Sequence, residues 1–518
     1  MPDNSSAKNS CSDMKPTLKV LRNLLPFSEP PAERRAAEVR ELLDTVSGLS
    51  AHEVVTQLTE RVIPVIAQQK NFHMRFKLLE EALVEAEKAL PVVERHIDLS
   101  PLPLPVAATT SALAADNLMK ALVAGYLKLA KTIFQGSQQE SLIRIFQRAT
   151  HRAMMLLARR QQLAYRSYAK PSESTWSMLH ELCRMARTLQ ARLPKEEIAP
   201  IEHQYLSALL FAYLEPGKLP RGELVDAIFC TRQLAMHAMI SDAAPDAGKR
   251  KAAAECFVVR PDEAGPGIPL LRLPPGTPLV DAIIIDCSGV LAELDRSLIR
   301  RPADDDESDP EIPPGLLQAL RQAIGGRAVR RFNRKAFKPH ADLVGGIGHV
   351  IPFIEGDAHS RRAIDLVARR GARGFRSSEW ALIDQSPDGF LVRFIQGENW
   401  KLGVGNVVAL QARESSSVHV CLVRRVATTS QGGLELGLQV LSPQVSVVNL
   451  PCHGEIRRGI YLHRLPGYGN RPGIIARPGH LASGHKIKLD AFGDTRLWQI
   501  GRRLEASAGL EFFALVPL

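Results

Sequence analysis

WALIDQSPDGFLVRFI, residues 380–395, decides how the C-terminal half of the chain is read. Two short runs rich in Leu, Ile, Val and Phe flank Pro387-Asp388-Gly389, a common turn sequence, so the stretch predicts a β-hairpin. The same texture continues outward. NVVALQA (406–412), VHVCLVRRVAT (418–428) and LELGLQVL (434–441) read as further strands, with turn signals at Gly397-Glu398-Asn399 and Gly432-Gly433. Short strands at this spacing predict an antiparallel barrel or sandwich. From residue 446 onward IYLHRL, GIIARP, HKIKLDAF, TRLWQIGRRLEAS and EFFALVPL predict a second small β-module.

Upstream the pattern is helical. Between about Pro31 and Ile240 the chain is rich in Ala, Leu, Glu, Arg and Gln. In ADNLMKALVAGYLKLAKTIF (115–134), Leu118, Leu122, Tyr126 and Leu129 share one stripe, with Lys120 and Lys128 off it. LIRIFQRATHRAMMLLARRQQLAY, WSMLHELCRMARTLQARL and GELVDAIFCTRQLAMHAMI continue the pattern, which places Met154-Met155, Met236 and Met239 on helices as core filling. Pro101–Pro105, Pro171, Pro194 and Pro216–Pro220 mark breaks that separate the helices. Between the two regimes ECFVVR, PLLRL and DAIIIDC read as strands, and ADDDESDPEIPP (303–314) as an exposed acidic loop. GLLQALRQAI follows as a helix stopped by Gly325-Gly326.

The expected fold class is therefore multidomain α+β: an N-terminal all-α helical bundle, then an antiparallel β-barrel, then a second small β-module. The expected division is a tail at 1–20, a helical domain at 21–245, a mixed connecting segment at 246–325, the barrel at 326–445 and the second module at 446–518.

Composition narrows the class. Of 518 residues, 66 are Lys or Arg and 55 Asp or Glu, a net charge of +11, which suits an anionic partner. No run approaches the ~18 apolar residues of a membrane helix. The polar start MPDNSSAKNSCSDMK lacks a secretory apolar core. Seven scattered cysteines without a CxxC pair argue against a disulfide framework or Cys-based zinc site. A cytoplasmic protein with no metal and no cofactor is expected.

Two features carry chemistry. Arg327, Arg330, Arg331 and Arg334 cluster after the Gly-Gly break, with Arg330 and Arg334 in R-x-x-x-R spacing. Asp384, Ser386 and Gly389 form D-x-S-x-x-G across the hairpin turn. A guanidinium can fork onto phosphate oxygens or guanine O6/N7 and stack on a purine. Asp384 can accept from guanine N–H groups, Ser386 can bond a base or phosphate, and Gly389 permits φ > 0 or close approach of a ligand. Together they make a nucleotide clamp.

These residues, with Val423-Arg424-Arg425-Val426 and Leu436-Gly437-Leu438-Gln439-Val440-Leu441, resemble a PilZ domain, over roughly 326–445. The resemblance implies a six-stranded barrel that binds the bacterial second messenger cyclic di-GMP. It implies that Arg330 and Arg334 grip guanine and phosphate with Arg331 assisting, that Asp384 and Ser386 bond the base, and that Gly389 shapes the turn. It further implies a non-enzymatic receptor that relays the signal to a partner protein, expected to meet the helical domain. One departure is the long gap from Arg334 to Asp384. It holds a strand candidate, ADLVGGIGHVIPFI, and a second R-x-x-x-R, Arg369 and Arg373. The first pair is preferred because a strand follows it; the second stays open.

Other readings stand beside this one. The first four arginines also fit a solvated helix face, and the turn also fits a plain hairpin in a barrel that binds nothing. Residues 327–376 hold twelve Arg and Lys against four Asp and Glu, a stripe able to neutralise nucleic-acid phosphates. Few aromatics accompany it, so nucleic acid is the less favoured partner. Ala282–Leu291 resembles the opening of haloacid-dehalogenase-type phosphotransferases, but Ser288 replaces the second Asp, and a buried strand ending in a turn is the preferred reading. His340, His349 and His359 show no ligand spacing, and Trp380 is expected to pack against the barrel.

Overall fold

A computed structural model describes residues 31–518, apart from 137–139, 190–194, 242–252, 275, 300–312, 326–334, 337–338, 356–376, 399–401, 414, 416, 430, 443, 453–454, 466–468, 492–493 and 508. The chain divides into two compact units: Met1–Val93 with Leu113–Leu156, and Glu94–Ala112 with Leu157–Leu518. Residues of the span expected as one helical domain thus fall in both units.

The N-terminal region is helical. Its longer helices are Pro31–Val46, Phe72–Leu99, Val106–Gln135, Glu140–Arg166, Glu173–Thr188, Lys195–Tyr213 and Leu224–Leu234. The stripe of Leu118, Leu122, Tyr126 and Leu129 is fully buried, as its spacing predicts. Ser50 caps Ala51–Gln57 in a capping box with Glu53. A single π-helical turn, Leu58–Val62, follows it and leads into Ile63–Ala67. Pro64 lacks the N–H that a regular α-turn needs there, which accounts for the widened turn.

Within the first unit Glu80 gathers three partners. Tyr126 donates its hydroxyl to Glu80 Oε1 at 2.8 Å, Arg152 forks onto both oxygens at 3.1–3.3 Å, and Arg148 reaches Oε2 at 3.5 Å. Burial first, then the Glu80 carboxylate, pushes the Tyr126 phenol well above its ordinary range.

The second unit carries the sheets. Strands β1 (Met239–Ser241), β2 (Cys256–Val259), β3 (Ile268–Pro269) and β4 (Ile283–Asp286) form an antiparallel sheet in the order β1-β4-β2-β3. Three expectations are corrected here. Met239 lies in a strand rather than a helix, and Met236 and Met239 are exposed at 72% and 62%, so neither fills a core. PLLRL is a 3-10 turn, Leu270–Arg272, because Pro269 ends the strand pairing.

The next strands are β5 (Lys335–Ala336), β6 (His340–Gly345), β7 (Ser378–Ser386), β8 (Gly389–Gln396), β9 (Val407–Ala412), β10 (His419–Thr428) and β11 (Leu434–Ser442). Their order is β5-β7-β6-β9-β10-β11-β8, and β8 pairs back onto β7. Six strands thus close into an antiparallel barrel, with β5 and β6 taking successive stretches of the same β7 edge. The expected strand ADLVGGIGHVIPFI is half strand and half helix. Gly346, at φ +82, ends the extended run, and Ile347–Ile354 forms a helix burying Ile347, Val350, Ile351 and Phe353. An apolar run this short does not declare its period in the sequence.

The last strands, β12 (Val445–Cys452), β13 (Glu455–Leu465), β14 (Arg471–Ala476), β15 (Lys486–Ala491), β16 (Asp494–Ser507) and β17 (Leu510–Pro517), form a second antiparallel sheet ordered β12-β13-β14-β17-β16-β15. Its outer strands β12 and β15 lie against each other, so it nearly closes around Leu450, Ile474, Trp498 and Phe513. The helix Ile347–Ile354 shares one core with both barrels, joining Val407 and Leu422 to Leu462 and Phe512.

Candidate functional site

The site is built on the β7–β8 hairpin. β7 buries alternate residues, Ser378, Trp380 and Leu382. Asp384 and Ser386 have the same parity, but a register shift between Leu382 and Asp384 interrupts the alternation, and both are only half-buried at the strand's end. Trp380 is core: its ring packs edge-on against Phe394 and its Nε1 donates to Ser378 Oγ at 2.8 Å.

Two residues, Pro387 and Asp388, make the turn, and Ser386 pairs in register with Gly389. Ser386 Oγ donates to the Gly389 carbonyl at 3.3 Å, closing the hairpin locally. Gly389 is needed for a reason other than the ones expected. It is not among the positive-φ residues. A Cβ here would stand 2.0 Å from the Leu438 carbonyl oxygen of β11, so the close approach is of strand to strand.

β5 reaches the same turn. Lys335 pairs with Gln385 and Ala336 with Asp384. The arginines Arg330, Arg331 and Arg334 lie outside the described residues, as do Arg327, Arg369, Arg373 and His359. Of the expected site, the structure brings Asp384, Ser386 and Gly389 together on one turn.

Two neighbours escaped the sequence reading, which treated them only as strand pattern. Gln439 pairs with Gly389 across the barrel seam. Its Oε1 accepts from Arg424 Nε at 2.7 Å, and Arg424 also forks onto Glu505 of β16. The V-x-R-V and G-L-Q patterns held the signal: two long polar side chains facing each other on paired strands.

The phosphotransferase-like stretch is reorganised. β4 runs antiparallel to both neighbours, and Asp286 Oδ1 accepts from the Ser288 amide at 2.8 Å, so it satisfies the first N–H of the helix Ser288–Ile299. His340 pairs with Glu379, and His349 Nδ1 meets the Gly345 carbonyl. Among the described residues no cluster of three metal-ligating side chains occurs, and no helix is long and apolar enough to cross a membrane.

Residues 36–246 match a family model described as "Cyclic-di-GMP receptor FimW, N-terminal domain". The match covers most of the helical region and stops before the barrels. Neither the curated proteins nor the solved structures yielded a match to the chain.

Proposed function

We propose that this chain is a bacterial, cytoplasmic cyclic di-GMP receptor whose first barrel is PilZ-like. The ligand sits between the arginine segment and the Asp384–Gly389 turn. Arg330 and Arg334 take guanine and phosphate, Arg331 assists, and Asp384 and Ser386 take the base edge. The chain acts by binding and relay to a partner protein, without catalysis and without a cofactor.

The observation that carries this is the register of β5. Lys335, the residue after Arg334 in the sequence, is opposite Gln385, so the described chain resumes beside the turn that the arginines are proposed to close. The rival pair precedes a strand residue farther from the turn. β7 has nine residues, about 26 Å from Ser378 to the turn. Arg373 precedes Ser378 by five positions, a reach of at most about 18 Å. The family description over 36–246 supports the same ligand by a separate route, and the net charge of +11 suits an anion.

Titration calorimetry with cyclic di-GMP tests the reading, with GTP as control. Binding lost in Arg334→Ala and in Asp384→Ala, each folded by circular dichroism, supports it. Binding that survives Arg334→Ala but not Arg373→Ala moves the clamp. No heat from the intact protein overturns the receptor reading.

A further inference from the structure

A second place in the same unit has the makings of a ligand site. A cavity of about 450 Å³ lies between the segment after the helix Glu140–Arg166, the 3-10 turn Pro216–Lys218, the loop at Gly265 and the end of β10. That volume is in the range of small-molecule pockets.

Its walls are fixed in advance. Tyr168 holds a left-handed backbone, φ 52, and donates its hydroxyl to Leu219 O at 2.9 Å. The Tyr168 carbonyl accepts from the Thr428 amide at 2.8 Å, and Thr428 Oγ1 donates to Ser167 O at 2.9 Å. On the far side His180 holds the Gly265 carbonyl at 2.8 Å while its other ring nitrogen meets the Tyr205 hydroxyl at 2.9 Å.

The lining joins flat rings to cations. Tyr165, Tyr168 and Trp176 supply the rings, and Lys170, Lys218 and Arg425 the charges. The side chains of Lys170 and Arg425 make no hydrogen bond or ion pair among the described residues. Lys218 pairs with Glu215. Even so, burial, then Arg425 and Arg272, push its ammonium pKa down. Lys218 and Arg425 therefore repel one another across a preformed cavity, a field that suits an anion. Glu173 and Glu215 on the lining offset only part of that charge.

We propose that this cavity is a ligand site distinct from the Asp384–Gly389 turn, and that it takes a small aromatic phosphate of the nucleoside 5′-monophosphate class. The phosphate meets Lys170, Lys218 and Arg425, whose guanidinium can fork onto two oxygens. The base lies against the aromatic wall. The two sites are separate along the barrel: Ala427 pairs with Glu435 and Glu435 with Arg393, four residues from Gly389, or about 13 Å along the strands.

The test is calorimetry of the full chain against adenosine, guanosine, cytidine and uridine 5′-monophosphates, with inorganic phosphate and the free nucleosides as controls. Deuterium exchange is read over 165–171 and 264–267. At least one monophosphate is expected to bind and to protect both segments. Lys170→Glu combined with Arg425→Glu, both exposed positions, is expected to weaken it by roughly tenfold or more. Asp384→Ala is expected to leave it unchanged, which separates this site from the receptor reading. No binding by any monophosphate, equal binding in the double variant, or inorganic phosphate binding as tightly as the nucleotides would each overturn the proposal.

Discussion

Replacing His180 by glutamine removes a proton-binding group that the fold keeps neutral. Burial pushes this imidazole down to about 4, against the Gly265 hydrogen bond, which raises it. Because Gly265 offers only a carbonyl, Nε2 carries the proton and Nδ1 accepts from the Tyr205 hydroxyl. The unfolded chain binds a proton near pH 6.5 and the folded chain does not. The unfolded state therefore holds more protons as pH falls below that value, and stability drops with it. Going from about pH 7 to about pH 5, the linkage relation gives a loss of about 2 kcal/mol from this one group. The assay is deuterium exchange of the helix Glu173–Thr188, corrected for intrinsic rate, at both pH values in wild type and His180→Gln. Glutamine can donate to Gly265 and accept from Tyr205 but does not titrate. The variant is expected to lose most of the pH-dependent destabilisation. An identical pH dependence in the two proteins would refute the assignment of this acid sensitivity to His180.

Three further outcomes follow from geometry already given. Gly389→Ala drives a methyl into the Leu438 carbonyl, and a loss of about 2 kcal/mol or more is expected, seen as faster exchange in β8 and β11; unchanged exchange there would contradict the close approach. Glu80→Ala strands Arg152 and the Tyr126 hydroxyl, so the helix Val106–Gln135 should lose about 2–3 kcal/mol, with Glu80→Gln milder because it keeps the hydroxyl's acceptor. Arg184 buries its Nε and Nη2 without a partner among the described residues. Arg184→Met is expected to leave the helix Glu173–Thr188 as stable or up to about 3 kcal/mol more stable, and a clear loss in urea titration would show a partner for that guanidinium.

The sequence made the barrel legible because its strands alternate and its turns carry glycine. The hairpin at 380–395, β9, β10 and β11 lie where their runs predict. What it hid were features that depend on partners distant in the chain. Gly389 reads as a ligand-facing or turn glycine, yet its constraint comes from Leu438, on a strand that follows much later. Ile347–Ile354 is too short to show a helical period, and only the shared core of two barrels makes it a helix. Met236 and Met239 carry no marker of exposure. The family match over 36–246 concerns a helical region whose residues show amphipathic patterning but no ligand chemistry, so composition alone could not have pointed to it.

The end of β10 is tied to two bodies of chain at once. Thr428 pairs with Leu434 of β11 on one side and meets Ala169 in a parallel bridge on the other, with its amide and hydroxyl both given to backbone carbonyls at 167 and 168. The first barrel is therefore not self-sufficient as a fragment. Cut free at residue 326, it would present an unpaired donor and an open strand edge at the end of β10, the kind of edge that seeks another chain. Dissection of this protein into working parts has to keep Ser167–Ala169 with the barrel, although more than 150 residues separate them in the chain.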